Sequence, residues 1–346
     1  MSHSTKSTMK QWIAAQPGAR HLTLQTMPVP TPGEHEVLVR VDAVSLNYRD
    51  IGVIEGTELS ADMPFPLTPG SDLAGRVVSA GARVTRFREA DAVLGTFWAG
   101  WIDGDCPQHA RVLGGSLPGV LAQYVVLHED WLVHAPRTLD AVRASTLPCA
   151  GLTAWFALVE NTGLRAGQTV LVQGTGGVAL FGLQLARAHG ANVIVTSGSG
   201  EKRRRALELG ASHVIDRTSG LPWEVQAREY TGGRGVDHIF ELVGGENLAA
   251  SLRAVRQGGR ISLIGVLGEH AMTFPSVPAF LTRSVIQGIG VGHRRALEEL
   301  VRAVDTVALQ PVVDACYRFD QLPEAFEHLK RGAFGKIVVD VGSAAA

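Results

Sequence analysis

The middle of the chain shows a pattern of apolar and polar positions that predicts a strand, a turn and a helix in succession. Residues 170–172 form a short apolar run between polar positions, as expected for a buried strand. After a glycine-rich turn, apolar residues recur at helical spacing, at Val178, Phe181, Leu185 and Ala188. Gly190 follows and is expected to end the helix, because glycine readily adopts the left-handed conformation of a helix C-terminus.

The turn between this strand and helix has a spacing that suits a bound phosphate. Gly174, Gly176 and Ala179 follow the pattern G-x-G-x-x-G/A. Gly174 permits the tight turn, Gly176 lets a pyrophosphate approach the backbone, and Ala179 allows close packing of helix on strand. The helix start at Gly177 and Val178 offers free N–H groups and the positive end of the helix dipole. The pattern therefore predicts a dinucleotide site, although three glycines can also serve an ordinary turn.

The rest of this half of the chain alternates strand-like and helix-like segments. Alternation at this spacing predicts a parallel, doubly wound sheet with right-handed crossovers. The predicted strands after the first are residues 192–196, 213–216, 236–243, 260–265 and 285–289.

The first third of the chain is rich in strands and turns. Its predicted strands are residues 36–44, 73–79 and 121–127, and a helical segment at 139–159 leads into the second half. Residues 1–8 are expected to form a loose tail. The C-terminal segments 296–304, 322–330 and 337–341 are expected to pack back on the first domain. Residues 95–119 predict a long irregular loop in which Trp98 and Trp101 would form an apolar wall and lid.

Composition excludes several classes of protein. The chain has 346 residues, enough for two domains, and a net charge of −1, which gives no general attraction for nucleic acid or anionic membranes. Three cysteines at wide spacing argue against a disulfide framework. The polar N-terminus has no signal-peptide pattern, and no apolar run is long enough to span a bilayer. These features predict a cytoplasmic protein.

Five segments together resemble the medium-chain dehydrogenase/reductase superfamily, on its zinc-free, quinone oxidoreductase-like and alcohol dehydrogenase-like side. They are the β-rich start, GSDLAGRVV at 70–78, LPCAGLTAW at 147–155, GTGGVA at 174–179 and FGKIVV at 334–339. The resemblance spans about residues 10–342. It implies a GroES-like catalytic domain (residues 1–135 and 294–346) and a Rossmann NAD(P)-binding domain (136–293). It also implies a nicotinamide cofactor in the cleft between them and a homodimer.

The resemblance also places three positions where zinc-dependent members carry Cys, His and Cys ligands. These positions are Asn47, Ser71 and Cys149 here. Catalytic zinc needs about three nitrogen, thiolate or carboxylate ligands, and one cysteine does not supply them. Asp72 could add an oxygen, and Cys106 with His109 could bind a metal, but chance proximity in a loop is the better interpretation. The prediction is that no zinc is bound.

The coenzyme preference is predicted from the end of the second strand of the sheet. NAD sites of this type place Asp or Glu there to bind the ribose 2′-OH. Ser197 occupies that place, and Lys202 and Arg203 follow closely. Hydroxyl and cationic groups suit a 2′-phosphate, so NADP(H) is predicted over NAD(H). The alternative is that the basic run is a solvated helix face.

Further cofactor contacts are expected at the carboxyl ends of the other strands, where ligands bind in such sheets. The candidates are Val243, Gly265, Val266, Gly290 and Val291. The resemblance adds Thr153 and Lys336. For the glycines, turn formation is an equally good explanation.

The segment Asn47-Tyr48-Arg49-Asp50 supplies the candidate catalytic residues, because the resemblance places it in the lining of the cleft. Without a metal, hydrogen-bond donors must stabilise the oxyanion that forms when a carbonyl or enone accepts a hydride. The Asn47 amide, the Tyr48 phenol and the Arg49 guanidinium are such donors, and Asp50 could hold Arg49 in place. Alternatively, Arg49–Asp50 is a structural ion pair and Tyr48 a packed ring.

These features predict an NADPH-dependent reductase of quinones, enones or other activated carbonyls. Two alternatives remain open at the level of sequence. One is a zinc-dependent alcohol dehydrogenase with unusual ligands, and the other is an NADP(H)-binding protein without turnover.

Overall fold

The computed structural model describes residues 7–57, 65–267 and 271–342. The chain divides into two compact units. One contains the residues up to Ala150 together with those from Gly292 onward, and the other is Gly151–Val291. The predicted domain boundaries after residues 135 and 293 remain a prediction about folding units. Among the described residues, no helix is long and apolar enough to cross a membrane.

The first unit begins with strands and short helices. In chain order these are β1 (Thr8–Ala14), β2 (Leu22–Pro28), β3 (Glu36–Ser45), α1 (Tyr48–Glu55), β4 (Asp72–Ala80), β5 (Ala92–Gly95), β6 (Trp98–Ala99), β7 (Arg111–Val112), β8 (Tyr124–His128), β9 (Leu132–His134) and α2 (Ala141–Ala144). A loose tail was predicted for residues 1–8. Residues 1–6 lie outside the described residues, and the prediction is wrong for Thr8, which starts β1.

The second unit alternates strands and helices, as predicted. Its elements are α3 (Leu152–Trp155), β10 (Thr169–Gln173), α4 (Gly177–Ala188), β11 (Asn192–Ser197), α5 (Gly200–Glu208), β12 (His213–Asp216), α6 (Trp223–Tyr230), β13 (Val236–Glu241), α7 (Asn247–Ala254), β14 (Val255–Leu263), α8 (Ser276–Thr282) and β15 (Val285–Gly288). The predicted helical segment at 139–159 contains α2, α3 and two π-helical turns, Leu147–Gly151 and Phe156–Glu160.

The chain then returns to the first unit, which contains the residues from Gly292 onward. The last elements are α9 (Arg294–Val307), β16 (Val313–Arg318), α10 (Leu322–Arg331) and β17 (Lys336–Asp340). β17 pairs antiparallel with β3, so the C-terminal strand becomes an internal strand of the first unit's sheet.

The main sheet of the first unit has the order β16-β17-β3-β4-β5-β9, and β8 also pairs with β3. Strand β3 is buried along most of its length, and Val37, Val39 and Val41, at alternate positions, lie in the unit's core. At the ends of these strands Ser45 is paired with both Asp72 and Val338. This register brings the starts of β4 and β17 together beside the start of α1.

The sheet of the second unit is wholly parallel, with the order β12-β11-β10-β13-β14-β15. The order reverses between β10 and β13, which is the switch point of a doubly wound sheet. Its core contains Leu171, Ile194, Ile239 and Ile261, one residue from each of four neighbouring strands. The predicted fold class, a GroES-like β-rich domain plus a Rossmann parallel sheet, is confirmed.

Several predicted strand limits differ from the observed ones, most of all at the starts of β8 and β14. The strand expected at 121–127 starts only at Tyr124, because the preceding residues pair with β1 instead, through the bridge between Gln11 and Ala122. The strand expected at 260–265 begins earlier, at Val255. It passes through Gly258 and Gly259, a pair that is typical of a turn when only the sequence is considered. In the structure Gly258 has a φ of 68° and lies where the pairing between β13 and β14 is irregular.

The segment 95–119 is less irregular than predicted, because β6 and β7 pair antiparallel within it. Its second half is tightly packed: a Cβ atom on Gly114 would lie 2.4 Å from the carbonyl oxygen of Gly70, and one on Gly119 would lie 2.3 Å from that of Pro69. Cβ atoms on Gly100 or Gly104 would meet nothing within 4 Å. The segment therefore has a fixed base and an open tip.

Candidate active site

The start of helix α1 fixes the first candidate residues. Asn47 is the N-cap residue, and its backbone N–H donates to the Asp50 carboxylate at 2.8 Å. Asparagine at an N-cap with an acid three residues on is a common helix start. The arrangement buries Asp50 completely and leaves Tyr48, at the first helical position, 57% exposed.

A chain of hydrogen bonds connects Asn47 with three residues that lie far away in sequence. Lys336 Nζ donates to the Asn47 carboxamide oxygen at 2.6 Å and to the Leu46 carbonyl oxygen at 2.5 Å. Asn47 Nδ2 donates to Ser71 Oγ at 3.2 Å, and this hydroxyl donates to Asp72 Oδ1 at 2.9 Å. All these side chains are buried. The ammonium group therefore fixes which way the carboxamide of Asn47 points.

The acidic groups of this cluster titrate away from their ordinary ranges. Burial raises the pKa of Asp50 to about 6, against the attraction of the nearby Arg49. Burial also raises the pKa of Asp72, and the charge of Lys336 opposes that rise. The pKa of the Cys149 thiol is raised by burial and by the negative charge of Asp72.

Arg49 is held on several sides. Its guanidinium lies 3.7 Å from Asp50 Oδ1 and packs over the Phe97 ring, 5.1 Å from the ring centre. A Cβ atom on Gly115 would come within 3.1 Å of Arg49 Nη2. The ion pair with Asp50 is thus present, while contact of Asn47, Tyr48 or Arg49 with substrate remains a prediction.

Asn47, Ser71 and Cys149 stand where zinc-dependent relatives carry their zinc ligands, but together they do not form a zinc site. Asn47 presents a carboxamide oxygen that already accepts from an ammonium, and Ser71 presents a hydroxyl that donates to Asp72. Of the three positions, Cys149 alone carries a group of the kind that zinc prefers. Catalytic zinc requires about three nitrogen, thiolate or carboxylate ligands. Within residues 7–57, 65–267 and 271–342, no group of three or more His, Cys, Asp and Glu side chains is placed to hold a metal ion.

The glycine turn of the second unit has the open geometry that a dinucleotide phosphate needs. Gly174 has a φ of 79°, which favours glycine, and Cβ atoms on Gly174 or Gly176 would meet nothing within 4 Å. Gly176 is exposed at the N-cap of α4, and no side chain caps this helix. The first-turn N–H groups, from Gly177 and Val178 onward, are therefore available to an anion. A nicotinamide dinucleotide fits these residues.

The end of β11 shows a more specific arrangement than the sequence predicted. Ser197 is buried, with Oγ accepting from the backbone N–H of Ser199 at 3.2 Å. Arg203 donates to the Ser197 carbonyl oxygen at 2.9 Å and pairs with Asp216 at 2.7 Å. Arg203 is therefore partly neutralised. The half-buried Lys202 lies beside it in the first turn of α5.

Arg217 was missed by the sequence analysis. It follows β12 directly, and its Nη2 lies 4.0 Å from the Cβ position of Gly198. A basic residue at the carboxyl end of the strand beside β11 was the available signal, because ligands bind at that edge of the sheet.

The other predicted cofactor contacts occupy varied environments. Thr153 is buried in α3, Val243 is half-buried, and Val266 and Gly290 are exposed. Gly265 is needed for packing, since a Cβ there would lie 2.5 Å from the Leu242 carbonyl oxygen. Val291 is a buried β-branched residue with a φ of 67°, a strained conformation that is often found at functional sites. Lys336 donates its hydrogen bonds to Asn47 and Leu46 in the first unit.

Comparisons with known proteins agree with this fold. Residues 33–137 match the family model of the alcohol dehydrogenase GroES-like domain, and residues 177–306 match that of zinc-binding dehydrogenases. The second match lies outside Asn47, Ser71 and Cys149, so its name carries no information about metal ligands here.

Three individual proteins are similar over nearly the whole chain. A zinc-type alcohol dehydrogenase-like protein of Schizosaccharomyces pombe is 37% identical, over 90% of this chain and 91% of its own length. A quinone oxidoreductase of Lama guanicoe is 29% identical, over 93% and 94% of the two chains. A solved structure from Sinorhizobium meliloti 1021, provisionally assigned as an alcohol dehydrogenase, is 53% identical with a TM-score of 0.94, covering 97% of this chain and all of that chain.

The chain belongs to the medium-chain dehydrogenase/reductase superfamily. It is accordingly an oxidoreductase that uses a nicotinamide coenzyme and acts on a small molecule.

Proposed function

We propose that this protein reduces quinones, enones or other activated carbonyls with NADPH, without a metal ion. The observation that carries the proposal is the hydrogen-bonded set of Lys336, Asn47, Ser71 and Asp72. Asn47 and Ser71 stand at two of the three positions that carry zinc ligands in zinc-dependent relatives, and here they belong to a hydrogen-bonded set instead. The similarity to a quinone oxidoreductase supports this class of substrate.

Bound NADPH would supply a hydride to an electron-poor carbon of the substrate. The substrate oxygen then gains negative charge, and the chain's own donors must stabilise it. Tyr48, which follows Asn47 directly, is 57% exposed, so its hydroxyl is the proposed donor to a ligand that arrives from solvent. Asn47, held by Lys336, and Arg49, held by Asp50 and Phe97, add fixed dipole and charge behind it.

The preference for NADPH rests on the basic and hydroxyl groups at the end of β11. Ser197 stands where an acid would bind the 2′-OH of NADH. Arg203 pairs with Asp216, and Lys202 and Arg217 add positive charge near the same strand end, so these three residues together are proposed to attract a 2′-phosphate. The remaining predicted contacts belong to the same proposal: Thr153, Gly174, Gly176, Gly177, Val178, Val243, Gly265, Val266, Gly290, Val291 and Lys336.

A second copy of this chain is the proposed partner. β15 is the last strand at one end of the parallel sheet, and α8, the helix that precedes it in the chain, exposes Val277, Phe280 and Leu281 by 61%, 74% and 70%. An apolar patch of this kind marks an interface, and an edge strand can pair with another chain. A reducing, cytoplasmic setting is also proposed, since Cys106, Cys149 and Cys316 are free thiols.

The test uses full-length protein purified without chelators. Its metal content is measured by mass spectrometry, and NADPH and NADH oxidation is followed with a panel of quinones, enones and aldehydes. We expect turnover with NADPH and less than a tenth of an equivalent of zinc. Stoichiometric zinc with chelator-sensitive alcohol oxidation would instead favour a zinc-dependent dehydrogenase, and coenzyme binding without turnover on any substrate would favour a non-catalytic protein.

A further inference from the structure

The two strands at the switch point of the parallel sheet end in buried polar residues. β10 ends at Gln173, directly before the glycine turn, and β13 ends at Glu241. Gln173 is 5% exposed and Glu241 is not exposed at all. Neither residue is among the predicted site residues, although both lie at the edge where ligands of such sheets bind.

The Glu241 carboxylate accepts hydrogen bonds at both oxygens. Oε1 accepts from the backbone N–H groups of Val243 at 3.1 Å and Gly244 at 3.0 Å, and from Asn247 Nδ2 at 2.8 Å. Oε2 accepts from Ser251 Oγ at 2.5 Å, from Asn247 Nδ2 at 2.9 Å, and from Gln173 Nε2 at 3.1 Å. Neutral donors thus surround a buried carboxylate, and two of them are backbone groups of the loop that follows its own strand.

Gln173 connects this loop with the glycine turn. Its Oε1 accepts from the backbone N–H of Leu242 at 3.1 Å, while its Nε2 bonds Glu241 and Ser251. The loop then turns through Gly244 and Gly245, with φ values of 79° and 57°. Its left-handed path is therefore fixed by side chains from both strands.

The same point also holds the loop after β14. The Glu241 carbonyl oxygen accepts from Ile264 at 2.9 Å and from Gly265 at 3.2 Å. Gly265 lies so close to Leu242 that a side chain would collide with the Leu242 carbonyl oxygen. Three neighbouring strand ends are thus joined at Glu241.

We propose that Glu241 is a positioning residue for the nicotinamide coenzyme. It is too buried to touch a ligand, and it acts by fixing residues 242–245 beside the Gly174–Gly177 turn before the coenzyme arrives. This inference rests on the proposed function, in which that edge of the sheet binds the coenzyme. A loop already held in its bound conformation loses less entropy on binding, so the expected effect is on affinity.

Glu241→Gln is the informative change because it keeps the shape of the side chain. The new amide group brings two donors to a site where every neighbour donates, so the donors at one of the two oxygen positions lose their acceptor. These are either the backbone N–H groups of Val243 and Gly244, or the Gln173 and Ser251 side chains that support the carboxylate from the other side. We expect NADPH and NADH to bind about tenfold more weakly, by the same factor for both. The ratio of the two affinities should not change, because Ser197 and Lys202 lie at the end of a different strand.

Asp237→Asn is the matched control, since Asp237 lies near the opposite end of the same strand. It is also a buried carboxylate, which accepts from Thr169 at 2.8 Å and pairs with Arg234 at 2.8 Å. We expect this variant to unfold at a lower temperature and to bind both coenzymes within about twofold of wild type. Ser251→Ala removes one donor to Glu241 Oε2 and leaves the hydrogen bonds between Oε1 and the loop in place. Its coenzyme affinity should therefore lie between those of wild type and Glu241→Gln.

The experiment combines calorimetric titration of the full-length proteins with NADPH and NADH and amide hydrogen exchange of the coenzyme-free proteins. The Val243 and Gly244 amides should be protected in wild type and exchange faster in Glu241→Gln. A Glu241→Gln protein that folds and binds both coenzymes as wild type does would overturn the positioning role alone. If wild type binds neither coenzyme, the proposed function itself fails. Should Glu241→Gln not fold, unchanged affinity in Ser251→Ala together with unprotected loop amides in wild type overturns the inference.

Discussion

The ammonium group of Lys336 lies 2.6 Å from the carboxamide oxygen of Asn47, although 289 residues separate them in the chain. The contact is possible because β17, which starts at Lys336, pairs with the end of β3, and β3 ends two residues before Asn47. Lys336 is also the strongest counterweight to the burial of Asp72. One buried cation therefore orients a candidate catalytic amide and stabilises a buried carboxylate.

Lys336→Met is expected to lower kcat/KM for a quinone or enone by roughly tenfold to a hundredfold, because the Asn47 carboxamide loses its fixed direction. The variant should also unfold more easily, since a buried carboxylate is left without its cation. Initial rates and thermal unfolding check both effects. Lys330→Met, which changes a partly exposed lysine of α10, serves as the control and should leave both quantities near wild type. Equal rates in wild type and Lys336→Met would show that the contact does not serve catalysis.

Gly176→Val is expected to abolish coenzyme binding and to retain the fold. The backbone of Gly176 has φ −77° and ψ −179°, which valine adopts easily, and a Cβ meets nothing within 4 Å. The added side chain would occupy the space of the pyrophosphate. Gly174→Val is the contrast, since its φ of 79° should cost stability as well. Coenzyme titration and thermal unfolding measure the two effects, and normal NADPH affinity in Gly176→Val would rule out this site.

Ser197→Asp is expected to shift the preference for NADPH over NADH by about tenfold toward NADH. A carboxylate there can accept from a ribose hydroxyl and repels a 2′-phosphate. Ser197→Ala is the control, since it removes the hydroxyl without adding charge. The ratio of kcat/KM values for the two coenzymes is the measurement, and an unchanged ratio in Ser197→Asp would remove Ser197 from the coenzyme site.

His238 is expected to make the protein sensitive to acid. Burial lowers its pKa to about 4, despite the opposing effect of Asp237. The unfolded chain binds the proton near pH 6.5, so the neutral imidazole stabilises the fold above that pH, and this contribution is lost as the pH falls toward 4. Between pH 7.5 and 4.5, wild type should lose roughly 2–3 kcal/mol more stability than His238→Leu.

Urea unfolding of both proteins at the two pH values measures this difference. His109→Gln is the control, because His109 is exposed and its replacement should leave the acid sensitivity of wild type in place. Parallel losses of stability in wild type and His238→Leu would mean that His238 does not carry the effect.

Phe280→Glu is expected to convert the proposed dimer into a monomer. A charge in the middle of an apolar patch cannot be buried without a partner. Light scattering coupled to size exclusion gives the mass, and Leu207→Glu is the control, since Leu207 is a 47% exposed residue of α5. A wild-type mass of one chain would contradict the proposal directly, as would an undiminished dimer in Phe280→Glu.

The fold could be predicted because its signals are local. Strand β12 lies at 213–216, as predicted, since its short apolar run is bounded by polar residues. The strand at Val255 was predicted to start too late, because Gly258 and Gly259 look like a turn and only the pairing with β13 makes them part of a strand. Local pattern finds buried runs, whereas their ends depend on neighbours that are distant in sequence.

The sequence predicted several residues of the candidate site, but it did not predict which of them contact one another. The glycines of the turn carry their own spacing, so Gly174 and Gly176 could be identified from sequence. The bond between Arg203 and Asp216 depends on two adjacent strands, and that between Lys336 and Asn47 on a C-terminal strand joining an N-terminal sheet. Glu241 was overlooked because a single acid at the end of an apolar run has no distinctive pattern.

The packing of Gly114 and Gly119 against the backbone before β4 limits how relatives of this protein can diverge. Insertions and bulky replacements should accumulate around Gly100 and Gly104, where added atoms meet nothing, and should be rare ten to fifteen residues later. A library aimed at new substrates is therefore best confined to that tip. Randomising the residues around Gly114 and Gly119 would mostly yield variants that do not fold, whichever side chains are introduced.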